Sequence, residues 1–280
     1  MQFINPVSRY EKLIHKQMKT LKIYQVDAFA ENLFKGNPAA VLLLDEWLND
    51  TTMQDIASEN NLSETAFLVK NEEHYDIRWF TPVCEVDLCG HATLASGYVL
   101  MNYYEKEASK INFYSPRSGN LSVEKQGEIL YLDFPADNLA PCKISEEKTK
   151  ALGKSPVECY HGREDYLMIF EKQKDIENLS PDFNLLSKIE TKRGYIVTAP
   201  GDDSDFVSRF FAPYAGINED PVTGSAHTTL TPYWSGKLNK KELSARQLSK
   251  RGGYLNCTDE GARIKIGGKA QLYLVGEIYI

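Results

Sequence analysis

Most of the apolar pattern in this chain is that of short strands. Side chains alternate over residues 75–79, so that 75–80 reads as a strand, and residues 22–29, 39–44, 112–114, 121–124 and 129–134 read as strands parted by turns such as Gly36-Asn37-Pro38 and Gln126-Gly127. Asn49 or Asp50 is suited to cap a helix running to about Asn60. The pattern breaks at residues 92–104, where almost every side chain is small, apolar or aromatic. With no polar stripe left for water, that segment is predicted to be a helix enclosed on all sides by a curled sheet.

A second series of the same kind follows. Helices are predicted near residues 146–152 and 182–189, and strands near 157–160, 166–170, 195–199 and 206–211. Residues 243–248, 253–257, 262–266 and 271–280 read as a closing antiparallel series with glycine-rich turns. The expected class is α+β, and the order does not read as a βαβ series. The division falls near Phe134-Pro135, giving an N-terminal half (21–134) and a C-terminal half (135–280) whose last strand can pack on the first. Residues 1–20 carry scattered charge without a period and read as an N-terminal extension, an added leader or a disordered segment, on which no function is built.

The two halves share a device. Gly90-His91 stands at the mouth of the enclosed helix, and Gly224-Ser225 stands in the same relation to the run that follows it. In both, an acidic residue precedes a glycine, a polar side chain follows, and a small, apolar segment begins. Helix N-termini carry unpaired N–H groups and a positive dipole end, which suit a carboxylate or phosphate, and glycine allows close approach. The similarity points to an internal duplication with the two loops facing each other across a cleft. Pro232 is expected to kink or end the second helix early.

Composition narrows the partners. The 280 residues hold 32 Lys and Arg against 39 Asp and Glu, a net charge of −7, which argues against general binding of nucleic acid or anionic membranes. No apolar run reaches transmembrane length and no secretory pattern is present, so a soluble, cytoplasmic protein is expected. The five cysteines are odd in number and irregularly spaced, which argues against a disulfide framework and for buried thiols. Cys84, Cys89 and His91 form a C-x4-C-x-H cluster with no second ligand pair to complete a zinc site, so no metal is expected.

Five motifs in order, Asp27-Ala28-Phe29, Gly36-Asn37-Pro38-Ala39-Ala40-Val41, Leu62-Ser63-Glu64-Thr65-Ala66-Phe67, Cys89-Gly90-His91-Ala92-Thr93 and Asp220-Pro221-Val222-Thr223-Gly224-Ser225-Ala226, resemble those of the PhzF-like phenazine biosynthesis family. The resemblance implies a diaminopimelate-epimerase-like fold: two similar halves, each a curled, mostly antiparallel sheet around a central helix, with the site between them. It implies Glu64 as catalytic acid/base, with His91, Asp220 and Ser225 completing the polar site and Ser63, Gly90 and Gly224 contacting substrate. A carboxylate that takes a proton from one carbon and returns it to another needs no cofactor. Structural roles stay open beside these: Glu64 as a turn residue, His91 as a packed helix-start histidine, Asp220 as a loop anchor, Ser225 as a cap. His227 reads as structural. Related epimerases use one thiol from each half; here Cys89 has the first position, but the second is Pro221, which favours a one-carboxylate isomerase over a racemase. An epimerase, or a binding protein without turnover, are the alternatives. The expected substrate is a small carboxylate-bearing molecule, and a homodimer is the expected assembly.

Overall fold

The structure, a computed structural model, describes residues 19–280, so the expectation for the N-terminal extension lies almost wholly outside the described residues. The first half comprises β1 (Thr20–Ala28), β2 (Asn37–Leu44), α1 (Asp50–Asn60), β3 (Glu64–Lys70), β4 (Tyr75–Phe80), β5 (Glu85–Val86), α2 (Gly90–Val99), β6 (Lys110–Ser115), β7 (Gly119–Gln126) and β8 (Ile129–Pro135). The second comprises β9 (Ala140–Pro141), α3 (Glu146–Leu152), β10 (Glu158–His161), β11 (Tyr166–Ile169), α4 (Gln173–Glu177), α5 (Phe183–Leu186), β12 (Tyr195–Pro200), β13 (Phe206–Ala212), β14 (Ile217–Asp220), α6 (His227–Leu238), β15 (Glu242–Gln247), β16 (Gly253–Asp259), β17 (Arg263–Gly268) and β18 (Ala270–Tyr279).

The pairings repeat from one half to the other. β1–β2 is antiparallel and β2–β3 parallel, as are β10–β11 and β11–β12. The parallel pair β4–β6 returns as β13–β15, and the meander β6-β7-β8 as β15-β16-β17. The short β9 lies antiparallel to β10, and β18, at the end of the chain, lies antiparallel to β1. Besides that β1–β18 ladder, one other, β8 with β17, carries the sheet from one half into the other. The sheet is mostly antiparallel, as expected, and is not a βαβ series, but each half also holds two parallel pairs closed by helical crossovers, which the sequence pattern did not reveal. Periodicity reports which face is buried and is blind to strand direction.

Each sheet has one helix inside and others on its back. Leu94, Ala95 and Val99 of α2 share a core with Val41, Ile77, Val123 and Leu132 from the strands around them, and Leu230 and Trp234 of α6 belong to the same continuous core. A side chain at Gly97 would stand 2.6 Å from a Val123 methyl, so the absence of one lets α2 lie directly on β7. Outside, α1 covers β1–β3 through Met53, Ile56 and Ala57, while α3, α4 and α5 cover the second half through Leu152, Ile176 and Leu186. No helix among the described residues is long and apolar enough to cross a membrane.

Three local expectations need correction. The enclosed helix passes at its C-terminal end into a π turn, Leu100–Tyr104, where Asn102 Nδ2 donates to the Tyr98 carbonyl at 2.7 Å and Tyr103 and Tyr104 emerge to solvent. Helix α6 runs through Pro232 to Leu238 instead of ending early. Proline removes the N–H that would bond the Thr228 carbonyl, and the Asp137 N–H from outside the helix donates to that oxygen at 3.1 Å. Finally, Cys142 and Cys159 form a disulfide with sulfurs 2.07 Å apart, while Cys89 and Cys257 are buried thiols and Cys84 is exposed. Cys142 follows β9 and Cys159 lies in β10, so strand pairing brings together two residues 17 apart, an adjacency that spacing alone does not reveal.

Candidate active site

Glu64 is the first residue of β3 and pairs with Ala39 across the parallel β2–β3 ladder, so its backbone is fixed as it leaves the turn after α1. That turn is enforced by Asn61, which ends α1 in the left-handed region at φ 48°. Its carboxylate Oε2 lies 3.0 Å from His91 Nε2. The contact is close but not aligned as a hydrogen bond, and that buried oxygen has no other partner among the described residues. His91 opens α2. Unlike α1, α3 and α5, capped by Asn49, Ser145 and Asp182, neither α2 nor α6 has a side-chain cap on its first N–H groups.

Asn37, fully buried at the start of β2, joins the two halves. Its Nδ2 donates at 2.9 Å both to Asp220 Oδ1 and to the Val222 carbonyl, and lies 3.3 Å from His91 Nδ1. Asp220 also accepts from the Thr223 hydroxyl at 2.5 Å, and Gln247 holds the same loop through the Thr223 N–H and the Asp220 carbonyl. A methyl group at Gly224 would stand 3.9 Å from the Gly90 Cα and 3.5 Å from the Phe29 ring, so the two glycine loops face each other directly. Ser225 accepts a 2.7 Å hydrogen bond from Arg193 Nη1. Arg193 is itself held by the buried Asp165 and lies over the Phe210 ring. Ser63 sits partly buried in the turn entering β3.

The structure thus brings Glu64 and His91 into contact, links Asp220 to them through Asn37, and sets Gly90 against Gly224. Ser225 adjoins Gly224 but bonds to Arg193, with no direct bond to the other three. Asn37, Arg193, Asp165 and Gln247 were not singled out from the sequence. Asn37 lies inside a family motif and could have been flagged; Lys192-Arg193 reads as an ordinary charged loop, and nothing marks it. The C-x4-C-x-H reading is also corrected. Cys84 is tied into the Thr81 turn and exposed, and the donors that gather are Glu64, Cys89 and His91.

Electrostatics separates the groups. Burial pushes the Cys89 thiol up to about 11, helped by the Glu64 charge, so it is protonated at neutral pH. Burial alone would lower His91, but the acids against its ring, Cys89 and Glu64, more than offset this and hold it well above the usual histidine range. Burial raises Asp220 to about 6, with His91 pulling the other way.

The family profile of the phenazine biosynthesis-like proteins, PhzC-PhzF, matches residues 26–276. The chain belongs to the phenazine biosynthesis-like family. A relative called an uncharacterized isomerase, from Pseudomonas aeruginosa, is 50% identical over 260 residues, covering 93% of this chain and 99% of the relative. A PhzF-family crystal structure from Enterococcus faecalis superposes with a TM-score of 0.91 at 50% identity, covering 94% of this chain and all of the other. A predicted epimerase of P. aeruginosa, 18% identical with a TM-score of 0.71 over 92% of this chain and 99% of its own, shares the fold. For this member of the family, the relatives support an isomerase in general terms.

Proposed function

We propose that the protein is a cofactor-independent isomerase that moves a proton between two carbons of a small carboxylate-bearing substrate, with Glu64 as the base that removes the proton and the acid that returns it. The observation that carries this reading is the 3.0 Å approach of Glu64 Oε2 to His91 Nε2. A two-base epimerase needs its acid and base on opposite faces of one carbon, and groups in contact leave no room for that carbon between them. The Cys89 thiol, raised to about 11, is a poor base near neutral pH, and Pro221 offers no partner thiol.

In this reading His91, kept protonated by Glu64, stabilises negative charge that develops as the proton leaves carbon. The backbone N–H groups of Gly90 and His91 at the mouth of α2, and of Gly224 and Ser225 in the loop ahead of α6, receive the substrate carboxylate across the facing glycines. Asp220 and Ser225 hydrogen-bond the substrate from the second half, with Asn37 setting Asp220 and Arg193 setting Ser225. The test is to screen small cyclic carboxylic acids in deuterated water. Transfer of the proton to a new carbon is expected. Exchange with inversion at one carbon would replace this reading with an epimerase, and ligand binding without exchange would replace it with a binding protein.

A further inference from the structure

The Cys89 thiol has no task in the proton transfer proposed above, yet it stands at the centre of the site. Its Sγ lies 3.4 Å from His91 Nδ1 and 4.0 Å from Nε2, while Glu64 Oε2 lies 3.0 Å from Nε2 on the same ring. One donor atom from each of the three residues falls within 4.8 Å of the other two. Tetrahedral zinc, with bonds of about 2.3 Å to sulfur and about 2.0 Å to nitrogen and oxygen, sets donor separations of about 3.3–3.6 Å. The edges to nitrogen straddle that range and the widest edge is no more than 4.8 Å, so side-chain movements on the order of 1 Å would close a three-ligand site. The chemistry is selective: thiolate and imidazole beside one carboxylate suit zinc, cobalt or cadmium and offer too few oxygens for magnesium or calcium. The Glu64 oxygen involved is also buried without an aligned hydrogen-bond partner, a deficit that a cation would meet.

We propose that Glu64, Cys89 and His91 form a trap for one zinc-class divalent cation, bound through a thiolate, an imidazole nitrogen and a carboxylate oxygen with the fourth position open. The thiol proton, and the imidazole proton where present, pass to solvent, and no other bond changes. The metal is an inhibitor here and not a cofactor, because it occupies the carboxylate that must move the proton. Inhibition rests on the role proposed for Glu64; binding rests only on the geometry. Removal of metal should therefore leave turnover unchanged or raise it.

The test needs no substrate. Metal-free full-length protein is titrated with cobalt(II) alone and then with zinc. One equivalent of cobalt should bind with a thiolate-to-metal charge-transfer band in the near ultraviolet, and zinc should abolish the band by displacement. Cys89→Ala should lose the band and weaken zinc binding by at least about tenfold, the scale on which metal sites answer even to their outer partners. Cys84→Ala should change neither. Should Cys89→Ala fail to fold, Glu64→Gln serves in its place, keeping the band while losing about tenfold in zinc affinity. Cobalt bound without a thiolate band, or zinc affinity unmoved in the variant tested, would overturn the proposal and mark a surface site. Neither result would bear on the isomerase reading, which stands or falls on proton transfer.

Discussion

His91 follows the first glycine directly, and His227 stands three residues past the second, both buried at the start of a central helix. The same burial leaves them in opposite states. His91 is held well above the ordinary range because Cys89 and Glu64 lie against its ring, whereas burial drives His227 down to about 4, with only the Thr223 carbonyl, at 2.9 Å, favouring its charge. A duplicated frame thus shifts one histidine up and the other down, and the difference is the pair of acids, Cys89 and the carboxylate that β3 supplies, set against the first ring. Site chemistry here is decided by the groups gathered at the helix mouth, from the cap residue and from the strand beside it, and not by burial.

The largest test of that contrast removes the carboxylate. Glu64→Gln keeps shape and much of the hydrogen bonding but cannot take a proton, so turnover should fall by about a hundred- to ten-thousandfold while ligand binding stays within about tenfold. Cys89→Ala should keep most activity. An active Glu64→Gln beside a folded but inactive Cys89→Ala would return the chemistry to the thiol.

The next effect is on the helices. Counting eight residues from each glycine aligns Tyr98 of α2 with Pro232 of α6. Tyr98→Pro should cost about 3 kcal/mol or more, the usual penalty for proline inside a helix. Chemical denaturation against the parent reads it directly.

The histidines also differ in how they link stability to pH. His227 has a folded pKa near 4 against about 6.5 unfolded, so the unfolded chain binds the extra proton between those values and stability falls as pH drops through that window. Asp220, raised to about 6, works in the opposite sense over part of the same range, since its folded form takes up the proton first. The His227 contribution is isolated by difference. The advantage of the parent over His227→Asn in unfolding free energy should shrink by up to about 3 kcal/mol between about pH 6.5 and pH 4. A constant advantage would mean that His227 is charged in the folded protein.

Much of this site was legible because its residues lie in motifs that are local in sequence. Ser63-Glu64 had to leave a turn into an apolar strand, and Gly90 and Gly224 each had to open an apolar run, so the duplication and the facing loops could be read from spacing. Asn37 was hidden inside a turn signature, since nothing local says that its amide reaches Asp220, 183 residues away. Arg193 and Asp165 were hidden for the same reason. Asp165 holds Arg193, and Arg193 reaches Ser225 only when β11, β12 and the loop before α6 pack. The Cys142–Cys159 bridge and the parallel pairs were missed because both depend on which strands become neighbours, which periodicity does not encode.

The smallest effect is expected where proline already stands. In α6 the carbonyl that Pro232 leaves without its helical partner, that of Thr228, accepts from the Asp137 N–H, just after the strand that joins the halves. Asp137 is itself fixed, its carboxylate accepting from the Thr229 hydroxyl at 3.0 Å and from the Arg163 N–H at 3.1 Å. Pro232→Ala would offer Thr228 a helical donor it does not lack. It would also release about 0.4–1 kcal/mol of restriction that proline places on the unfolded chain. The two effects nearly cancel, so the change in unfolding free energy should stay within about 1 kcal/mol, against about 3 for the reverse change at Tyr98. Stabilisation of Pro232→Ala by the full helical penalty would show that the Asp137 bond does not compensate for the proline. The two helices would then differ in strain and not in how their carbonyls are met.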